Sequence, residues 1–199
     1  LSRRQRQMCI RDSFLNDKMT NLLENGGAAT YVQGLQAKGI KVVLTVLGDW
    51  QGIGVANMND TQTTKFAKIL AHAVEKYGLD GIGFDDEYSN YSSSLISGSF
   101  GSIITKLRNL MPAGKLITVF QWGNYGQIDA AAGAMLDYAD HGTFGANVFY
   151  SSSSISGMTN DRWMPQAIQL GNSYNALTLN QIKNCLLYTS PSPRDPKTS

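Results

Sequence analysis

Leu79-Asp80-Gly81-Ile82-Gly83-Phe84-Asp85-Asp86-Glu87-Tyr88 sets four carboxylates into eight residues at the end of an apolar run. The run reads as a β-strand, in which alternate side chains share a face. Gly83, Asp85 and Glu87 then point one way, and Ile82, Phe84 and Asp86 the other. With Ile82 and Phe84 against a helix layer, Asp85 and Glu87 stand side by side on the opposite face, roughly 6.6 Å apart along the strand. Asp86 is expected to point outward and Asp80 to be structural. Charge this dense at a strand end is unfavourable unless a site uses it, and two neighbouring carboxylates suit acid chemistry on a sugar. A solvated acidic turn is the plainer alternative.

Strand and helix signals alternate on either side. Lys41–Leu47 is a β-branched apolar run closed by Gly48, which predicts a buried strand. Asn59 or Asp60 caps a helix whose stripe is Phe66, Ile69, Leu70, Ala73, Val74 and Tyr77, with Gly78 placed as its terminating glycine. A helix through Ile103, Ile104, Leu107, Leu110 and Met111 is stopped by Pro112. Leu116–Phe120 is predicted as a strand, Ile128–Ala139 as a helix and Ala146–Tyr150 as a strand. Trp163–Leu170 reads as a short helix, and Leu179–Asn184 as the start of another. Asp17–Lys38 reads as helical with a break at Gly26-Gly27. Such alternation implies βαβ units and a parallel sheet, either doubly wound or closed into a barrel.

The chain has 199 residues, enough for one domain, with 42% hydrophobic and 16% charged residues. Its ends differ from its middle. Residues 1–13 carry Arg3, Arg4, Arg6 and Arg11; residues 185–199 carry Pro191, Pro193 and Pro196. Both cysteines, Cys9 and Cys185, lie in these ends. The ends read as non-native, adapter-derived tails and are set aside, leaving 14–184 as the domain. They hold six basic and two acidic residues, so 11 of the 17 basic and 13 of the 15 acidic residues remain. The net charge of +2 thus becomes −2, which removes the basis for a nucleic-acid partner. No apolar run approaches a membrane span.

The Asp80–Glu87 segment resembles the D-G-x-D-x-D-x-E signature of glycoside hydrolase family 18. Gly39–Gly52, Tyr77-Gly78-Leu79 and Asp86-Glu87-Tyr88 resemble the endo-β-N-acetylglucosaminidases of the Endo H type within it. The similarity runs from about Phe14 to Asn184. It implies a TIM-type (β/α)8 barrel with active residues at the C-terminal strand ends. The barrel would be incomplete, holding about the third to sixth strands, with two sheet edges open and a tendency to aggregate.

The resemblance also implies roles. Glu87 would be the general acid/base, and Asp85 would orient the substrate's own acetamido group as the internal nucleophile, a substrate-assisted variant of retaining hydrolysis. Tyr150 would support that group. Gly83 stands where the family has an aspartate; its loss is expected to ease the repulsion on Asp85, to leave a cavity or a water, and to weaken catalysis. Asp80 and Gly81 match the motif. Gln121 and Trp122, Trp50 and Asp49 are candidate sugar contacts at the same mouth, each with a plain rim or core role as the alternative. The Ser- and Gly-rich loop Tyr88–Gly101, with Tyr91, would shape a glycan groove. His72 and His141 read as surface residues. No metal or other cofactor is expected. The expected partner is an N-linked or other GlcNAc-containing glycan, the full-length protein a monomer, and its location secreted, periplasmic or cell-surface. An inactive glycan-binding protein and a chitinase are the alternative functions.

Overall fold

The structure is a computed structural model and describes residues 15, 17–91, 93–142 and 154–164. Its centre is a four-stranded parallel sheet in the order β1-β2-β3-β4, made of Val43–Val46, Gly81–Phe84, Leu116–Phe120 and Tyr138–Asp140. Helices α2 (Asp60–Lys76), α3 (Ser99–Leu110) and the short α4 (Ala130–Gly133) connect successive strands. Before β1 lies α1 (Asp17–Leu23), which breaks near Gly26-Gly27 and resumes as the helical turns Ala29–Gln33 and Gly34–Gln36. The expected break is there.

One face of the sheet makes the core. Ile82, Phe84, Ile117, Val119 and Ala139 are buried against Leu70 and Val74 of α2 and Phe100, Ile103, Ile104 and Leu107 of α3. Phe84 and Phe100 meet edge to face, with ring centroids 5.5 Å apart. The opposite face carries the register row Thr45, Gly83, Thr118 and Tyr138, as the alternation rule requires. Asn59 caps α2 in a reciprocal capping box with Gln62. Gly78 ends it with φ +63.

Three of the four expected strands are found; the fourth, Ala146–Tyr150, lies outside the described residues. So do Leu179–Asn184 and both presumed tails. The helix expected over Ile128–Ala139 is corrected: only Ala130–Gly133 is helical, and Tyr138–Asp140 is β4. The cause is polar. Asp137 Oδ2 accepts the Ile117 N–H at 2.7 Å, and the Asp137 N–H donates to Ile117 O at 2.9 Å, which pulls the chain into line with β3. Arg108 of α3 locks this junction by donating to Met135 O and to Asp137. Trp163 itself bridges in parallel to Ala139, after the 3-10 turn Asn160–Arg162, and residues 165–170 of the helix expected over Trp163–Leu170 lie outside the described residues.

Candidate active site

Asp80 sits at the start of β2, at the far end from the other carboxylates. Its Oδ2 accepts from Val42 N–H and Gln36 Nε2, each at 2.9 Å, and Oδ1 from Lys41 Nζ at 3.2 Å. Burial works to raise its proton affinity, but the Val42 and Gln36 hydrogen bonds and the Lys41 ammonium outweigh it and hold the carboxyl below the usual range. Asp80 thus ties the start of β2 to the entry of β1 and to the preceding helical turn.

Asp85, Asp86 and Glu87 leave the C-terminal end of β2. The backbone there is stitched to the exit of β1: Asp85 N–H donates to Val46 O, Gly48 N–H to Glu87 O, Trp50 N–H to Tyr88 O and Gly52 N–H to Ser89 O. Burial alternates as the strand pattern predicts, with Asp85 and Glu87 half-buried and Asp86 buried between them. Asp85 Oδ1 is buried and has no hydrogen-bond partner among the described residues. Its carboxyl is pushed up to about 6, first by burial and then by the charges of Glu87 and Asp86. Asp85 therefore holds its proton tightly even with no aspartate at position 83.

Asp86 corrects the sequence reading. It does not point out to water: it is 6% exposed and enclosed by loop residues. Its Oδ1 accepts from the Ser89 hydroxyl at 3.2 Å and the Tyr91 hydroxyl at 2.5 Å. Its Oδ2 accepts from the Asn124 N–H and Nδ2, each at 2.8 Å. The donors that meet it come from loops up to 38 residues away, which is why alternation alone did not show it buried.

Gly83 lies buried between β1 and β3. A Cβ there would come 3.0 Å from Thr118 Oγ1 and 3.1 Å from Thr45 Oγ1. Two threonine hydroxyls therefore border the point where a side chain at position 83 would begin. His141 is also corrected: it is buried, and its ring stacks on Trp163 at 4.5 Å between centroids. His72 is exposed, as expected.

Around the carboxylates the rim is aromatic. Trp50 is 62% exposed, Tyr88 49% and Trp122 47%. Trp50 and Tyr88 lie 5.1 Å apart, and both adopt left-handed backbone angles, φ 64 and 60. Non-glycine residues held in that region store strain, which clusters at functional sites. Tyr88 as a ring partner of Trp50 was missed; its place directly after Glu87 was the available signal. Trp122 stacks on Phe120. Asp49 is exposed and accepts from Gln51 N–H at 3.2 Å. Gln121 donates to Ser154, so in this conformation its amide is occupied. Tyr91 ties its loop together, since its hydroxyl also accepts the Ala56 N–H at 3.0 Å. Tyr150 lies outside the described residues. Among the described residues there is no cluster that would hold a metal ion, and no helix long and apolar enough to cross a membrane.

No family model matches the chain. It is 38% identical over 155 residues to an endo-β-N-acetylglucosaminidase of Flavobacterium sp. (strain SK1022), covering 73% of this chain and 48% of that protein. It is 34% identical over 158 residues to endo-β-N-acetylglucosaminidase F1 of Elizabethkingia meningoseptica, covering 72% and 46%. The chain thus spans about half the length of these relatives. Among solved structures it is similar to Bacteroides thetaiotamicron EndoBT-3987 in complex with a Man9GlcNAc2Asn substrate, with TM-score 0.59, 28% identity, and 74% of this chain and 38% of that one covered. The chitinase domain of the spore coat protein CotE of Clostridium difficile matches with TM-score 0.54 at 18% identity, over 83% of this chain and 57% of that one, and speaks to the fold alone. The chain is thus similar to endo-β-N-acetylglucosaminidases over about half their length, and its described residues form a parallel sheet with alternating helices consistent with part of an α/β barrel.

Proposed function

We propose that this chain is the central part of an endo-β-N-acetylglucosaminidase that cleaves the GlcNAc–GlcNAc bond of N-glycan cores with retention of configuration. One observation carries the proposal: Asp85, with its raised proton affinity and a buried unpartnered oxygen, stands next to Glu87 at the mouth of a barrel-type sheet. A group tuned to about 6 is poised for proton sharing under mildly acidic conditions.

In the proposed reaction Glu87 gives its proton to the bridging oxygen as the C1–O bond breaks. The acetamido oxygen of the same sugar closes on C1, and Asp85 accepts the acetamido N–H, stabilising the positive charge on the oxazolinium ring. Glu87, now a base, takes a proton from the water that opens the ring. The exposed rings of Trp50 and Trp122 are suited to stack on sugar faces. The supporting likeness is the solved relative whose complex contains Man9GlcNAc2Asn. Action on such a glycan would place the protein outside the cytoplasm, as a monomer when whole.

The test is release of free glycan from a high-mannose glycoprotein, followed by mass spectrometry, for the chain and for Glu87→Gln. Release is expected from the first and a loss of about a hundred- to ten-thousandfold from the second, the range that general acid catalysis supplies. Equal release by both would sink the assignment. A second reading, glycan binding without turnover, is favoured by the two threonines that close on Gly83. It predicts binding of the same glycan with no release.

A further inference from the structure

We propose that Asp86 is a positioning residue: its buried carboxylate gathers Ser89, Tyr91 and Asn124, and so holds Asp85 and Glu87 at a fixed separation and aim. The roles of Asp85 and Glu87 rest on the reading above; the clasp itself rests on geometry. Asp86 lies between the two, so fixing its side chain fixes the peptide planes that direct its neighbours. Four donors meet its two oxygens, at 3.2, 2.5, 2.8 and 2.8 Å, and together they use the carboxylate's acceptor sites.

These donors bring together separate parts of the mouth. Ser89 and Tyr91 belong to the loop after β2, and Asn124 to the loop after β3. Through its hydroxyl, Tyr91 also receives the Ala56 N–H from the loop after β1. The approach of the β3 loop requires Gly123, whose φ is +62 and whose missing Cβ would lie 2.4 Å from Asp86 O and 2.6 Å from Oδ2. Gly54 makes room in the same way, since a Cβ there would lie 2.3 Å from Ser89 Oγ. Three loop ends are therefore shaped around this carboxylate. The charge of Asp86 also adds to the raised proton affinity of Asp85.

An asparagine at 86 can turn its oxygen to the two Asn124 donors and its amide to the Ser89 and Tyr91 hydroxyls, which accept as well as donate. The clasp thus survives in Asp86→Asn and is lost in Asp86→Ala. With the full chain and a high-mannose glycopeptide, Asp86→Ala should lower kcat by about a hundredfold with KM within about threefold, the mark of misplaced reacting groups. Asp86→Asn should recover kcat to within about tenfold of the parent, with the acid limb of its pH profile moved downward. A kcat in Asp86→Ala equal to the parent's overturns the proposal.

A readout independent of turnover is amide hydrogen exchange. Asp86→Ala should speed exchange at residues 85–91 and 123–124 by about tenfold or more, with α2 and α3 unchanged. Unchanged exchange in these loops overturns the clasp whatever the activity. Faster exchange in a chain that releases no glycan supports the clasp and removes the reaction. Should Asp86→Ala fail to fold, Tyr91→Phe deletes one donor and should lower kcat by about tenfold at constant KM; an unchanged kcat again overturns the proposal.

Discussion

A half-buried carboxyl group with one oxygen fully buried and unpartnered beside two like charges resists ionisation, and Asp85 is in that position. The raised value has a consequence for stability. A carboxyl whose folded value lies above its unfolded value near 3.9 favours the fold while protonated. Its contribution is complete below the unfolded value and is lost as pH rises through about 6. Asp85→Asn should therefore melt at the same temperature as the parent near pH 4 and above it at pH 8, by calorimetry; a gap independent of pH contradicts this account. Gly83 presents a balance of two effects. Alanine in place of a strand glycine gains about 0.5–1 kcal/mol from chain entropy, while overpacking costs about 1–3 kcal/mol. With both hydroxyls 3.0–3.1 Å from the new methyl, the cost wins, and Gly83→Ala should lose about 1 kcal/mol in urea unfolding. Thr118→Ala in the same chain should return that loss. The sequence revealed that Asp85 and Glu87 share a face. It did not reveal what borders position 83, because Thr45 and Thr118 reach it only through strand register.

Among the elements, those with a strong local signal were legible and those made by distant polar contacts were not. The α2 helix carries its cap, its stripe and its terminating glycine within Asn59–Gly78, so no tertiary information is needed to find it. β4 is three residues long, and its start is set by Asp137 meeting Ile117 and Arg108. Apolar periodicity therefore ran it into the preceding helix. The buried side of Asp86 and the stacking of His141 on Trp163 were hidden for the same reason, since each depends on residues far away in the chain. Asp80 tests such a contact at the element scale. It ties the start of β1 to β2 through the Val42 N–H, and to the preceding helical turn through Gln36. Asp80→Ala should cost about 3 kcal/mol at neutral pH, the low end for two partly buried hydrogen bonds to a charged group. The folded value of Asp80 is depressed, so its contribution is present above the unfolded value and is lost as pH falls through the folded one. The stability gap between parent and variant should narrow steadily below about pH 4. A gap that holds at pH 2 would show that the residue acts through packing and not through its charge.

At the scale of the whole molecule, the feature with most consequence is the outer edge of β1. Among the described residues no strand pairs with it, and along it runs a cavity of about 300 Å³. Its lining includes Leu44, Val46, Leu47, Ile53, Phe66 and Ile69. An unpaired edge beside apolar surface is a template for association, because another chain can satisfy the strand's backbone groups and cover the groove in one step. The 199-residue chain should therefore bind an apolar dye such as anilinonaphthalene sulfonate and elute from a sizing column as concentration-dependent oligomers. Leu47 is 49% exposed at the end of this edge, so a charge there disturbs little of the core. Leu47→Lys should shift elution toward the monomer at equal concentration, with far-ultraviolet circular dichroism unchanged, because a lysine on an edge strand must be desolvated before a second strand can pair. If the parent is monomeric and dark to the dye at about 100 µM, where weak strand pairing with Kd near that value is already half formed, the edge is covered by residues outside those described. The open-sheet account of this chain would then be wrong.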